Sequence, residues 1–392
     1  MFKVKLTFWR VVLALVLVAG AYATLLRFFR GLGASTNLND AFPWGIWIGF
    51  DVMCGVMLAA GGFTLTASVY LFNLKKFKPI VRPTVLTAFL GYQLVVVALL
   101  FDLGRGYRIW HPLVMWNPRS VMFEVAWCVT LYSIVLSLEF AGVFFERFHL
   151  TKLVSIQKML LIPLVIAGVL LSTLHQSSLG SLYLIVPNKL HPFWYSPMLP
   201  ILFFLSAICV GLAMTIFESS MSARHFGKQL ELPLIQSLGR TLLVMLCIYT
   251  AVRFQDLFHR GALSLLSKPG WETGLFLAEI FLASAAPICL LLIPKVRENP
   301  SGLYLAAVLC LLGFVTNRMN VAITGMEAAS GQHYFPKWTE IAVTFAIIGV
   351  GFLIFSLAVN YLPIFSHDSV SEPIAELETV PSEVPELSNV RT

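Results

Sequence analysis

Apolar stretches of bilayer-spanning length follow one another almost without pause, at residues 8–29, 43–74, 84–103, 120–146, 158–178, 197–218, 236–259, 272–294, 302–324 and 339–362. About 20 apolar residues in a helix cross the hydrocarbon core of a bilayer, and this succession leaves little chain for a water-soluble domain. The charge content agrees. Only 12% of the residues are Asp, Glu, Lys or Arg, against about a quarter in soluble domains. A membrane β-barrel would show alternating segments of roughly ten residues, and none occurs. The expected fold is an all-α polytopic membrane protein of about ten transmembrane helices. Residues 1–362 form its membrane domain.

The N-terminus resembles a signal peptide, with Lys3, Lys5 and Arg10 ahead of an apolar run that reaches Ala21-Tyr22-Ala23. The run continues to Phe29 and reads as the first membrane helix. Turn chemistry and charge mark the breaks at Lys75-Lys76 to Pro83, His111-Pro112, Asn188 to Pro192 and Lys295 to Pro300. The Lys/Arg distribution sets the expected orientation. Lys3, Lys5, Arg10, Lys75, Lys76, Lys78, Arg82, Arg147, Lys152, Lys158, Arg224, Lys228, Arg240, Lys295 and Arg297 share one side, which makes that side cytoplasmic. Ten helices then place both termini inside a bacterial cytoplasmic membrane. Residues 363–392 carry six acids and four prolines and read as a disordered acidic cytoplasmic tail. The basic excess of the body suits a protein facing anionic lipid and calls for no nucleic acid. The external segments 30–44, 104–119, 179–196 and 325–338 are rich in Trp, Pro, Gly and His, a composition suited to lipid anchoring and to docking a partner.

An internal regularity accompanies this pattern. Phe101-Asp102-Leu103-Gly104-Arg105-Gly106 closes the third helix, and Asp256-Leu257-Phe258-His259-Arg260-Gly261 closes the seventh, 154 residues later. Glu124 and Glu279 are 155 residues apart. Two four-helix units, helices 2–5 and 6–9, flanked by helices 1 and 10, would give such offsets.

Ionisable groups within a membrane are costly and mark functional candidates. Asp51, Glu124, His175, Glu279 and Arg318 fall in the outer third, with Glu279 and Arg318 at matching depth as a structural ion pair. Arg253 and Asp256, at i,i+3, are placed to pair with each other. Glu124, Glu139 and Glu146 fall on one face of the fourth helix over roughly 33 Å. Aligned carboxyls that can hold and release protons are what a proton path needs, while Glu146, beside Arg147, also reads as a solvated helix end.

The six cysteines stand singly in apolar stretches, without CxxC-type spacing, so no iron–sulfur cluster and no metal site is expected in this chain. A membrane b-type haem needs an axial pair of histidines inside the bundle. Of eight histidines only His175 falls within a helix at depth, so the chain is expected to be haem-free. Nothing resembles a phosphate loop, a nucleophile triad or a metal-hydrolase motif. The chain has proton-carrying groups and no redox centre of its own.

The run Phe42-Pro43-Trp44-Gly45-Ile46-Trp47-Ile48-Gly49-Phe50-Asp51, with Val81-Arg82-Pro83, Asp102 to Arg105 and Phe123-Glu124, resembles the NrfD/polysulfide-reductase membrane subunits. Leu138-Glu139-Phe140 to Glu146-Arg147-Phe148, His175-Gln176-Ser177-Ser178-Leu179-Gly180 and Tyr334-Phe335-Pro336-Lys337-Trp338 narrow the resemblance to the HybB branch, the membrane subunit of a [NiFe] hydrogenase complex. The likeness runs from about residue 30 to 362. It implies two four-helix bundles and a menaquinone site near the external face. Electrons would pass between that site and an external ferredoxin-like iron–sulfur subunit joined to the large and small hydrogenase subunits, with coupled proton translocation. By position, Glu124 becomes the proton-exchange residue, Glu139 a further proton carrier, and Trp44, Trp47, Asp51, Asp102, Arg105 and His175 line the quinone region. Loop 104–119 and the acidic tail match no pattern of that branch. Competing readings are the membrane subunit of a related complex with a molybdopterin or multihaem partner, a secondary transporter, and a passive anchor. A transporter would break helices at the midplane, and an anchor would not need buried acids.

Overall fold

A computed structural model describes residues 7–185, 189–226, 231–268 and 270–364. Lys3, Lys5, Lys228 and residues 365–392 of the acidic tail lie outside the described residues. Ten helices are long and apolar enough to cross a membrane: α1 (Phe8–Arg30), α2 (Trp47–Leu71), α3 (Lys75–Asp102), α4 (Val121–Arg147), α5 (Thr151–Leu182), α6 (Leu199–His225), α7 (Leu232–His259), α8 (Trp271–Leu292), α9 (Pro300–Ser330) and α10 (Trp338–Tyr361). Ten crossings return Phe8 and Tyr361 to one face, here the terminal face; loop residues 31–46, 103–120, 183–185, 189–198, 260–268 and 331–337 occupy the other, the loop-rich face.

The Lys75-Lys76 to Pro83 stretch, expected to be a break, lies within a helix. α3 runs on from a tight turn at Lys75–Phe77, with Pro79 in its first turn and Pro83 further in. A first-turn proline costs nothing because its N–H would have no partner there; Pro83 gives up one bond. α5 begins at Thr151 and contains Pro163. α6 continues seven residues past the expected end at Glu218 and so encloses that acid. α9 runs through a wide turn at Asn320–Thr324 to Ser330, so the first six residues of the expected loop 325–338 are helix.

Helix α2 is the least regular. Its first eight residues, Trp47–Cys54, form wide π-turns, and at mid-length Ala60 N–H bonds three residues back, to Met57 O. This tightened turn lies where a transporter would break its helix, yet no charged group sits at it. It lies instead at the closest approach of α2 to α6: a Cβ on Gly211 would stand 2.9 Å from the Ala60 carbonyl carbon. Small residues permit such contact between membrane helices. The α8–α9 crossing is closer still, since a Cβ on Gly313 would stand 2.0 Å from Ala283 N.

Around α2, the helices α3, α4 and α5 pack in sequence order; α6 meets α2, α5, α7 and α9, and α8 packs on α9. α1 and α10 pair with each other, and α10 leans on α3. One apolar core runs through both groups of helices, with Phe42, Tyr92, Trp194, Phe203 and Phe314 almost wholly enclosed.

Candidate functional site

The seam between α3, α4 and α5 carries most of the polar groups expected from the sequence. Ser120 caps α4, its Oγ accepting from Phe123 N–H. That cap fixes Glu124 in the first helical turn, where the exposed backbone N–H groups favour a carboxylate. The Glu124 side chain is exposed at the rim of the loop-rich face, and its Oε1 accepts from Ser178 Oγ of α5 at 2.6 Å.

One turn deeper, His175 is fully buried with its Nδ1 3.0 Å from Tyr92 Oη of α3. Tyr92 stands edge-on to Tyr132 of α4, ring centroids 4.5 Å apart. Gln176 Nε2 donates to Val56 O at 3.1 Å, which ties the seam to α2. Tyr132 Oη, Ser172 Oγ, His175 Nε2 and Gln176 Oε1 are buried and have no protein partner among the described residues. Ser172 and Gln176 share a face of α5 at i,i+4, so these atoms lie together. Buried polar atoms without partners cost about 1–3 kcal/mol each and call for water or a ligand at that spot.

Below them Glu139 is buried against Gly168 of α5, where a Cβ would stand 3.6 Å from Glu139 Oε1; Gln157 Nε2 donates to the Glu139 backbone carbonyl at 3.4 Å. Glu146 closes the row at the terminal face, paired with Arg82 at 2.9 Å. The three acids of α4 thus have distinct environments: one open and hydrogen-bonded, one enclosed, one in an ion pair.

The remaining expected site residues do not join this seam. Trp47, Asp51 and Asp102 face α1 and α10. Asp51 Oδ2 accepts from Thr344 Oγ1 at 2.9 Å, and Trp47 Nε1 donates to Glu340 O at 3.2 Å. Arg27 of α1 is buried and donates to Phe101 O and Leu103 O at 2.6 and 2.8 Å, holding the end of α3 beside Asp102, whose Oδ1 has no partner among the described residues. Glu340 fastens this corner. Its carboxylate accepts from Tyr334 Oη at 2.6 Å, Lys337 N at 2.8 Å and Asn37 N at 3.0 Å. Burial and that carboxylate hold the Tyr334 phenol above its ordinary pKa. Trp44 packs over Tyr183 just past α5, and Arg105 is exposed on the loop-rich face. The six quinone-region residues therefore divide among four places rather than lining one.

Asp51 also lines a cavity of about 620 Å³ between α2, α3, α6 and α10, which extends to Glu218 and His225 near the terminal face. Its walls are apolar apart from Asp51, Thr87, Glu218, Ser222, His225 and Ser356. Both Glu218 carboxyl oxygens and Thr87 Oγ1 are buried without a hydrogen bond of good geometry among the described residues.

Two expected pairings are replaced by others. Glu279 meets Arg253, at 3.9 Å, not Arg318. Its carboxylate also accepts from Trp194 Nε1 at 2.7 Å, Asn317 Nδ2 at 2.7 Å and Asn320 Nδ2 at 2.9 Å. Arg318 turns to Phe203 O and Ser206 Oγ and stacks 3.4 Å over the Phe203 ring. Asp256 pairs with Arg260 at 2.8 Å, which frees Arg253 to bond Phe193 O and approach Glu279.

Sequence reasoning missed Tyr92, Tyr132, Gln176, Glu218, Arg27 and Glu340. Gln176 had a signal, a second polar side chain beside His175 in an apolar run. Glu218 was obscured because its helix was taken to end there.

No group of three or more His, Cys, Asp or Glu is placed to hold a metal ion among the described residues. Among the described histidines, His175 is enclosed and fixed to Tyr92, whereas His149 lies in a turn with positive φ and His225, His259 and His333 are exposed. These residues do not supply an axial pair for a haem inside the bundle.

These features define a multi-pass integral membrane protein with a polar lane through one group of helices and a lined cavity beside it. The chain belongs to the NrfD polysulphide reductase family, whose model matches residues 34–328. It is 35% identical over 86% of its length to an Escherichia coli protein named as a probable Ni/Fe-hydrogenase 2 b-type cytochrome subunit, covering 87% of that protein. It is 30% identical over 89% of its length to the integral membrane subunit of a menaquinone reductase from Nitratidesulfovibrio vulgaris, covering 90% of that subunit. A further N. vulgaris protein is 39% identical over 92% of this chain and 95% of its own length.

Proposed function

We propose that this chain is the quinone-reactive membrane subunit of a respiratory [NiFe] hydrogenase complex of the HybB kind, exchanging electrons between an external iron–sulfur subunit and menaquinone with coupled proton transfer. The observation that carries this reading is the polar seam. It joins an open carboxylate, Glu124, to a buried Tyr92–His175–Gln176 group with unsatisfied atoms and then to an enclosed carboxyl, Glu139. Reduction of a quinone to a quinol consumes two electrons and two protons. In this reading the electrons come from the partner. The protons come through side chains that can hold and pass them. An apolar site with a few convergent polar groups suits a quinone head, and Tyr92, His175 and Gln176 would contact its carbonyls. Glu124, open at the rim, would exchange protons with the aqueous phase.

In this reading the loop-rich face is external, both termini are cytoplasmic in a bacterial inner membrane, and α2–α5 and α6–α9 are the two related four-helix units. The partner subunits are the large and small hydrogenase subunits and a ferredoxin-like iron–sulfur protein. The printed name of the E. coli relative includes a b-type cytochrome; the histidine positions here support a haem-free chain. The relationship to a menaquinone reductase subunit supports a second reading, the same quinone chemistry with a different electron-donating partner. The deciding experiment is hydrogen-dependent reduction of a menaquinone analogue in proteoliposomes by the complex with and without this chain. Loss of quinone reduction, with hydrogen-dependent dye reduction retained, is expected. Unchanged quinone reduction without the chain would overturn the proposal, and quinone reduction from formate or sulfur donors but not hydrogen would select the second reading.

A further inference from the structure

The segment between α3 and α4 is unlike the other loops of its face. The stretch near Tyr334 is tied down by Glu327, Glu340 and the Lys337–Ala34 contact, and Phe193 and Trp194 are buried. In residues 103–120, by contrast, Tyr107 is 71% exposed, Val114 and Met115 64%, and Trp116 67%. These side chains are held in place. A short helix spans His111–Val114, Trp127 Nε1 of α4 donates to Pro112 O at 2.8 Å, and Trp116 packs against Trp127 with ring centroids 4.9 Å apart.

The flank of α4 below continues the same apolar surface through exposed Met122, Leu131, Ile134 and Leu138. The charges in the segment have one sign. Arg105, Arg108 and Arg119 are exposed, and no acid occurs from Leu103 to Phe123. The Arg105 and Arg119 side chains have no hydrogen bond or ion pair among the described residues, and Arg108 lies over the Tyr107 ring at 5.7 Å. Aromatic side chains that anchor at a membrane interface, joined to a lipid-facing helix flank and unpaired arginines, match the chemistry of a lipid headgroup layer.

We propose that residues 103–120 form a collar seated in the interfacial layer at the loop-rich face, with Arg105, Arg108 and Arg119 binding the phosphates of anionic phospholipids. The collar therefore stands outside the partner-docking platform, which is left to the loops before α2, α6 and α10. A basic side chain near an anionic bilayer surface contributes about five-fold in association, ~1 kcal/mol.

The test uses the purified full chain in two measurements. In phosphatidylcholine vesicles brominated near the ester groups, Trp110→Phe with Trp116→Phe removes a strongly quenched share of tryptophan emission; fractional quenching equal to wild type overturns the proposal. With pyrene-labelled lipids in detergent micelles, Arg108→Gln with Arg119→Gln weakens phosphatidylglycerol association by roughly five-fold per arginine and leaves phosphatidylcholine unchanged. Equal loss for both lipids, or no loss, overturns the arginine assignment. Loss of the bromolipid quenching when the partner subunits are bound would show a protein interface there and also overturn it. The arginines are exposed and unpaired, so the second variant keeps the fold, as checked by gel filtration.

Discussion

Glu124 and Glu279 stand 155 residues apart, and the structure predicts opposite responses to the same change. Glu279 is 1% exposed and accepts three side-chain hydrogen bonds beside Arg253. Glu279→Gln turns one acceptor oxygen into a donor that faces other donors and leaves Arg253 buried without its counter-charge. Breaking a buried pair in this way costs about 3–5 kcal/mol. At about 2–4 °C per kcal/mol for a chain of this size, the thermal midpoint should fall by on the order of 10 °C. Glu124 is exposed and has one partner, Ser178. Glu124→Gln keeps an oxygen to accept that bond, so stability should change by less than about 1 kcal/mol, while an amide cannot relay protons and quinone-coupled turnover should fall about 100-fold or more. Both variants are read by the heating midpoint in detergent, by hydrogen-dependent quinone reduction in proteoliposomes, and by dye reduction as a control for assembly. A Glu279→Gln protein that melts like wild type yet loses turnover would make its network functional and refute the reasoning. So would a Glu124→Gln protein that fails to assemble.

Cross-linking of the assembled complex should join the partner to Lys337 and Lys189 and spare Lys76 and Lys152; the reverse pattern would invert the orientation. The isolated chain should show no Soret absorbance, and a stoichiometric haem b would end the haem-free reading. Gly313→Leu should abolish the α8–α9 packing and assembly, because a Cβ there already meets the Ala283 backbone at 2.0 Å. Gly274→Ala, with nothing within 4 Å of its Cβ, should express and melt like wild type.

The ten crossings were legible because bilayer thickness sets a length and polarity that each span must meet alone. Helix ends were less so. Pro83 reads as punctuation, but a proline in lipid is tolerated where it falls within a continuing helix, since ending the helix would expose more backbone groups. Depth was also legible, and it brought Glu279 and Arg318 to one level. Which arginine meets the acid was not, because arginine reaches far and partner choice depends on helix rotation, which hydropathy leaves open. The same gap split the expected quinone region. Trp44, Trp47 and Asp51 are near in sequence, but successive residues of a helix point in different directions, and the wide turns of Trp47–Cys54 shift that phase further. Trp47 and Asp51 consequently face α10 while His175 faces α3 and α4.

Two lanes run through the interior, and their chemistry separates them. The α4–α5 seam lines up Glu139, Tyr132, Tyr92, His175 and Glu124, side chains able to donate or accept hydrogen bonds, with Tyr92 bonded to His175 and Ser178 to Glu124. The cavity between α2, α3, α6 and α10 joins Glu218 to Asp51 past Leu90, Leu94, Phe217 and Ile347, which do neither. A proton moves readily only along groups that can pass it on, so the seam is the expected path and the apolar cavity is suited to a hydrocarbon chain. Glu139→Gln should then slow hydrogen-dependent quinone reduction and the accompanying acidity change inside proteoliposomes by about 100-fold. Glu218→Gln, which exchanges one buried polar group for another, should change either rate by less than about three-fold, a shift of under ~1 kcal/mol. A Glu139→Gln protein with wild-type rates, beside a Glu218→Gln protein that reduces quinone but no longer moves protons, would transfer the path to the cavity. It would leave Glu139 as a packing residue against Gly168.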